Sequence, residues 1–228
     1  FNNKFGVPLS LFNLKKNDDF GIFEIGMDKQ GEIEYLSKII RPDVGVITNI
    51  SYAHIKNFKN INEIALAKSE IINNIKDDGY LILNKDDEFY NFHKKIALKR
   101  NLKILSFSLK NKSATTNLDS ISKEKSKYKI SININKTKKF FYSNSYFESD
   151  LKNLLASITI ISIFKDIHKL DKNIFYDHKA TSGRGDIVKV KLFKKKLYLV
   201  DESYNSNPLS LKSALKNFDM IKVDNSKK

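Results

Sequence analysis

The sequence predicts an α/β fold: a mostly parallel sheet flanked by helices, a small antiparallel β insert, and the start of a second α/β portion. Three observations carry that expectation. Short apolar runs bounded by turn residues recur at 20–26 (FGIFEIG), 44–50 (VGVITNI), 80–84 (YLILN) and 103–109 (KILSFSL), the pattern of buried parallel strands. Between them lie segments whose apolar residues repeat at helical spacing, so strand and helix alternate as in βαβ units. From 110 to 148 polar sequence surrounds two alternating runs, 128–135 (YKISININ) and 138–143 (KKFFYS), which suit antiparallel hairpin strands at one end of the sheet.

Taken in order, the first strand (20–26) is followed by a helix over 31–40, which Arg41-Pro42 ends because a residue before proline is pushed out of the helical region. The second strand (44–50) runs into a loop over 51–60, where Asn60 or Asn62 can cap the next helix. In that helix Ile61, Ile64, Ile71, Ile72 and Ile75 fall at spacings of three and four, one buried face. Lys68 lies on the same stripe. Asp77-Asp78-Gly79 forms a turn before the third strand (80–84), a helix spans 86–100, and the fourth strand (103–109) precedes the insert. A helix over 150–164 follows. The stretch 181–185 (TSGRG) reads as a hinge, with two strands (186–192 and 196–200), a turn (201–208) and a helix from 208 to 220 beyond it. The domain boundary is therefore expected near residue 182, giving domains of 1–182 and 183–228.

Composition sets limits. With 228 residues and 41% hydrophobic content the chain can bury a sizeable core. No apolar run approaches the roughly 18 residues needed to span a bilayer, and the first residues lack the charged-then-apolar layout of a secretory signal. Cysteine is absent, which excludes disulfides and thiolate metal sites. A net charge of +15 points toward polyanions. Yet the cations are nearly all scattered lysines, and only Arg41, Arg100 and Arg184 could supply the fork that base and phosphate recognition favours. No nucleic acid is expected as a partner; a non-catalytic basic nucleic-acid-binding module is the rival reading from another class.

In open α/β sheets, ligands bind beyond the carboxyl ends of the strands. Glu24 sits inside the first apolar run, where a carboxylate is costly unless paired or metal-bound. His54 lies in the loop after the second strand, at the same edge, and Lys68 is in the helix that this loop feeds. Lys68 admits two readings on spacing alone. Its stem covers the core's edge while the ammonium snorkels into water, or it is a functional amine whose charged form burial disfavours. The convergence of the three points to a metal or phosphate site.

These residues carry a resemblance. The order Phe23-Glu24-Ile25-Gly26, Gly31-Glu32-Ile33, GVITNISYAHIKNF, ALAKSEI and LILNKDD is similar to the central domain of the Mur ligases. The opening NNKFGVPLS and the turn DESYNSNP further favour the member that adds D-alanyl-D-alanine over the one that adds the third residue of the peptide. The resemblance runs from Asn2 to about Ala214 and weakens over the insert. It implies an ATP-dependent amide ligase of peptidoglycan precursor synthesis, cytoplasmic and monomeric. Its partners would be ATP with Mg2+, a UDP-N-acetylmuramoyl tripeptide and D-alanyl-D-alanine, and its course an acyl phosphate attacked by the incoming amine. Carried over, Glu24 and His54 would hold magnesium and Lys68 would be carbamylated, becoming a third, anionic ligand; these three are the catalytic candidates. Glu70, two residues on, lies on another helical face and receives no role.

The resemblance also implies nucleotide contacts. Asn153 matches an asparagine that meets adenine, although the His-Asn usually preceding it reads Ser149-Asp150 here. Arg184 resembles the hinge arginine that reaches the ATP phosphates, its flanking glycines suiting a mobile link. Asp201 and Glu202 stand where the family has two aspartates, the second of which meets the ribose. Tyr204, Asn205 and Asn207 are either site-lining or turn-forming. The largest departure is the absence of G-x-x-x-x-G-K-[ST], the loop that cradles nucleotide phosphates. In the family it precedes the stretch like NNKFGVPLS. The expectation is an internal piece of an enzyme, truncated in both outer domains and inactive by itself. Another amide ligase of the superfamily, such as folylpolyglutamate synthase, is the alternative within this class.

Overall fold

The computed structural model describes residues 2–52, 57–177, 182–192, 195–204 and 208–220. Its centre is a six-stranded sheet in the order β1 (Val44–Ile47), β2 (Tyr80–Asn84), β3 (Lys103–Ser108), β4 (Thr116–Glu124), β5 (Lys127–Ile134) and β6 (Thr137–Ser143). The first four strands pair parallel, with Val44 opposite Tyr80 and Tyr80 opposite Lys103; β4, β5 and β6 pair antiparallel. Alternation across β2 shows why the strand run is continuously apolar. Leu81 and Leu83 enter one core cluster with the helix α3 (Ile61–Ser69), while Ile82 between them enters the other with α5 (Glu148–Phe164). Both faces are covered, as a parallel sheet requires.

The helices α1 (Gly6–Phe12), α2 (Glu32–Ile40) and α4 (Tyr90–Lys99) complete the main body. α2 ends where expected: Arg41 takes a left-handed conformation (φ 48°) just before Pro42, and its N–H still bonds the Ser37 carbonyl at 2.8 Å. A hairpin of β7 (Asp186–Leu192) and β8 (Lys195–Asp201) forms a separate two-stranded sheet, followed by α6 (Pro208–Met220). Among the described residues no helix is long and apolar enough to cross a membrane.

Four of the expected elements differ in the structure. Residues 20–26 form no strand: Ile22 is 96% exposed and Phe20 53% exposed, and no neighbouring strand among the described residues supplies a ladder. The segment is fastened instead by Gly26 N–H to the Asn2 carbonyl at 2.7 Å. β1 stops at Ile47, and Ile50 N–H turns to the Asp87 carboxylate at 2.8 Å. The helix expected over 86–100 begins only at Tyr90, since Asp87 also accepts from Phe89 N–H at 2.9 Å and so stabilises a turn. The helix carrying Lys68 ends at Ser69 and tightens into a 3-10 turn over Glu70–Asn74. The stripe nevertheless lands inward, with Ile64, Ile72 and Ile75 fully buried.

Candidate active site

α3 starts on Asn60, whose side-chain oxygen accepts from the N–H groups of Asn62 and Glu63 at 3.0 and 3.1 Å. Ile64, Ala65 and Ala67 sink into the core, which fixes the helix's rotation and leaves Lys68 partly buried in its last turn. Burial lowers the Lys68 amine below the usual lysine range, while Asp87 and then Glu24 pull it back up. Desolvation outweighs both carboxylates, so the amine is easier to deprotonate than an exposed lysine. The same interactions place Glu24, Lys68 and Asp87 in one electrostatic neighbourhood.

Glu24 comes from the extended segment before α2 and is exposed rather than buried, contrary to expectation. The run that holds it is not a strand, so its carboxylate faces solvent at the rim of a cleft. Asn2 donates to its Oε1 from 3.0 Å. That cleft, of about 540 Å³, is also lined by Ser10, Phe23 and Tyr204. His54 falls at 53–56, outside the described residues, as do Asn205 and Asn207. Among the described residues no three His, Cys, Asp or Glu side chains are grouped to hold a metal. Of the expected ligands, Glu24 and Lys68 lie near enough for the carboxylate to act electrostatically on the amine.

Two side chains of this neighbourhood escaped the sequence reading. Asp87 joins the segment after β1 to the loop after β2 through the Ile50 and Phe89 amides and raises the Lys68 pKa by its charge. Its signal was the pair of aspartates directly after a strand's carboxyl end, in LILNKDD. His93 is 2% exposed, with Nε2 3.0 Å from the Ala65 carbonyl of α3. That partner accepts, so Nε2 carries the proton. Burial lowers the His93 pKa; the Ala65 carbonyl and Asp87 raise it, and Lys68 lowers it further.

A second group gathers after the hinge. Gly183 (φ 78°) and Gly185 (φ 88°) flank Arg184, and a Cβ on Gly183 would stand 2.8 Å from the Tyr204 nitrogen, so glycine is required there. Tyr204 N–H bonds the Gly183 carbonyl at 3.0 Å, and the Arg184 guanidinium lies over the Tyr204 ring at 4.5 Å. The Ser203 hydroxyl first, and then Ser203 N–H, which Asp201 accepts at 3.0 Å, lower the Asp201 carboxyl pKa. Glu202 is raised, first by desolvation and then by Asp186, Asp201 and Asp150. Arg184, Asp201, Glu202 and Tyr204 are thus neighbours, and Tyr204 reaches the cleft that holds Glu24. Asn153 is exposed on α5, one turn after Asp150, whose charge acts on Glu202.

Comparison with known proteins bears on this arrangement. Residues 1–161 match the Mur ligase middle domain. The UDP-N-acetylmuramoyl-tripeptide--D-alanyl-D-alanine ligase of Rickettsia prowazekii is 29% identical over 99% of this chain and 49% of its own length. The protein of that name from Buchnera aphidicola subsp. Baizongia pistaciae is 30% identical over 96% of this chain and 46% of its own. A crystal structure of MurF from Acinetobacter baumannii superposes with a TM-score of 0.85 at 25% identity, covering 97% of this chain and 47% of that one. The chain therefore spans about half the length of the curated relatives it matches. With most of its length matched by one family's domain, the chain belongs to the Mur ligase family.

Proposed function

We propose that this chain is the central part of an ATP-dependent ligase that joins D-alanyl-D-alanine to a UDP-N-acetylmuramoyl tripeptide. In this reading residues 1–182 are the central domain, residues 183–228 begin the C-terminal domain, and the enzyme works as a cytoplasmic monomer without nucleic acid. The observation that carries it is Lys68: an amine made easier to deprotonate by burial, in the field of Asp87 and of Glu24, the latter lining a cleft, in a chain similar to so-named ligases over nearly its whole length.

A carbamylated Lys68 in the neighbourhood of the Glu24 carboxylate would suit magnesium. A neutral Lys68 amine can attack carbon dioxide; a nitrogen–carbon bond forms, an electron pair moves to oxygen and the amine loses a proton to solvent. The resulting carbamate, the Glu24 carboxylate and His54 would hold Mg2+, a hard cation that prefers oxygen. Bound there, the ion would offset negative charge on the phosphoryl group in transfer. Asp87 orders the segment after β1 at Ile50, four residues before His54 in the sequence. Arg184, held over Tyr204 between two glycines, suits a nucleotide phosphate, and Asp201, Glu202 and Asn205 suit its ribose side, with Asn153 toward the base. ATP would phosphorylate the tripeptide's terminal carboxylate; the dipeptide amine would then attack the acyl phosphate, form the amide and expel phosphate. The 228 residues contain no phosphate-cradling G-x-x-x-x-G-K-[ST] loop, and in this reading they do not turn over alone.

The test uses the complete gene product. ATP-dependent ligation of the two substrates is expected, Lys68→Ala is expected to abolish it, and acetate or formate to restore part. Full activity in Lys68→Ala removes the assigned role. Ligation of glutamate to a folate instead of the dipeptide transfers the chain to the folylpolyglutamate synthase alternative.

A further inference from the structure

The geometry points to Glu70 as a positioning residue that sets the spacing between Lys68 and Glu24. This rests on the metal-ligand reading of those two side chains. Helix α2 begins on Gly31, which has no side chain with which to cap it. Glu70 supplies the cap from another part of the chain: its Oε1 accepts from Gly31 N–H at 2.7 Å and its Oε2 from Glu34 N–H at 3.0 Å. Two of the four amides left open at a helix start are thereby satisfied by one carboxylate, in a favourable position for the helix dipole.

Glu70 is two residues from Lys68, at the junction where α3 gives way to the 3-10 turn. Gly31 is seven residues from Glu24. The stretch from Glu24 to Gly31 is fastened. Glu32 accepts from Asp28 and Lys29 N–H at 2.6 and 3.2 Å, and Asn2 holds both Gly26 and Glu24. Further from Lys68 the seam continues: Asn73 donates to the Glu34 carboxylate at 3.0 Å, and Asn74 to Ser37 Oγ at 3.0 Å. The carboxylate of Glu70 is the bond of this seam nearest the lysine. Without it, the turn bearing Lys68 and the segment bearing Glu24 lose their shortest shared tie.

The test measures Mn2+ binding to this chain in bicarbonate buffer by electron paramagnetic resonance, alongside amide exchange at Gly31 and Glu34. Glu70→Ala is expected to weaken Mn2+ binding about tenfold or more, as loss of a supporting shell commonly does, and to accelerate both amides. Glu70→Gln keeps one acceptor oxygen and is expected to fall between; it carries the test if Glu70→Ala does not fold. Asn73→Ala, which cuts the same seam farther from Lys68, is expected to leave Mn2+ affinity within about twofold of the unmutated chain, well short of that supporting-shell effect. A folded Glu70 variant with unchanged Mn2+ affinity overturns the inference, as does an Asn73→Ala loss equal to that of Glu70→Ala. Absence of Mn2+ binding by the unmutated chain instead overturns the ligand reading of Glu24 and Lys68.

Discussion

Replacing Lys68 by methionine should raise stability while removing activity. Methionine keeps an unbranched stem on the stripe between Ile64 and Ile72 and discards an ammonium whose desolvation exceeds the attraction of Asp87 and Glu24. Removing such a strained functional group commonly returns on the order of 1 kcal/mol, equivalent to about 2–4 °C in Tm for a chain of this size. The sign of the pH dependence follows from linkage. The folded-state pKa lies below the unfolded value of 10.5, so the unfolded chain binds more protons and stability rises with pH toward 10.5. The advantage of Lys68→Met should therefore be greatest near neutral pH and shrink as pH climbs. Urea unfolding of both proteins at pH 7 and 9.5, in buffer stripped of carbon dioxide, measures it. Equal or lower stability of Lys68→Met at pH 7, with the same gap at pH 9.5, would refute the reasoning.

Other outcomes are expected from neighbouring features. His93 is buried with a lowered pKa, so its contribution is complete above the unfolded value of 6.5 and is lost as pH falls below it; urea titrations from pH 7.5 to 5 should show a steeper loss for the natural chain than for His93→Gln. Asn60→Ala removes the acceptor for two amides of α3 and should cost about 0.5–2 kcal/mol by the same method. Gly79→Ala would set a Cβ 2.7 Å from the Lys76 carbonyl and 2.8 Å from that of Asp43, both backbone atoms, and should cost about 1–3 kcal/mol; a thermal melt unchanged from the natural chain would contradict that packing.

How much was legible in the sequence depended on whether a signal was local. β2 was read to the residue because turns close it: Asp78 adopts φ 60° before Gly79, and Asp87 begins the next turn. The Lys68 stripe was legible because helical spacing alone reports it. An apolar run, by contrast, states a wish to be covered without naming the cover, and residues 20–26 find no strand beside them among the described residues. β4 was missed because TNLDSISKE alternates weakly and carries charge. Asp87 and His93 matter through neighbours distant in the chain, Ile50 and Ala65, which no window of sequence connects. His93 does share its buried face with Ala97, four residues on, a spacing that could have flagged it.

The junction between β3 and β4 has a consequence for how this protein can vary. Only Phe107 with Thr116 and Ser108 with Asn117 are in register there, against seven or eight pairs at each antiparallel seam. Ser106 and Thr115 add a reciprocal latch, each side-chain oxygen accepting the other's N–H at 3.0 and 3.3 Å. The antiparallel strands are held to the body mainly by their inner face instead: Ile130, Ile132 and Phe141 are fully buried in one cluster with Leu154 and Leu155 of α5. Variation is therefore tolerated at the exposed tips and not along the strands behind them: Lys125 and the Gly-free turn at Asn135-Lys136, all with positive φ, are the natural places to graft a tag or label.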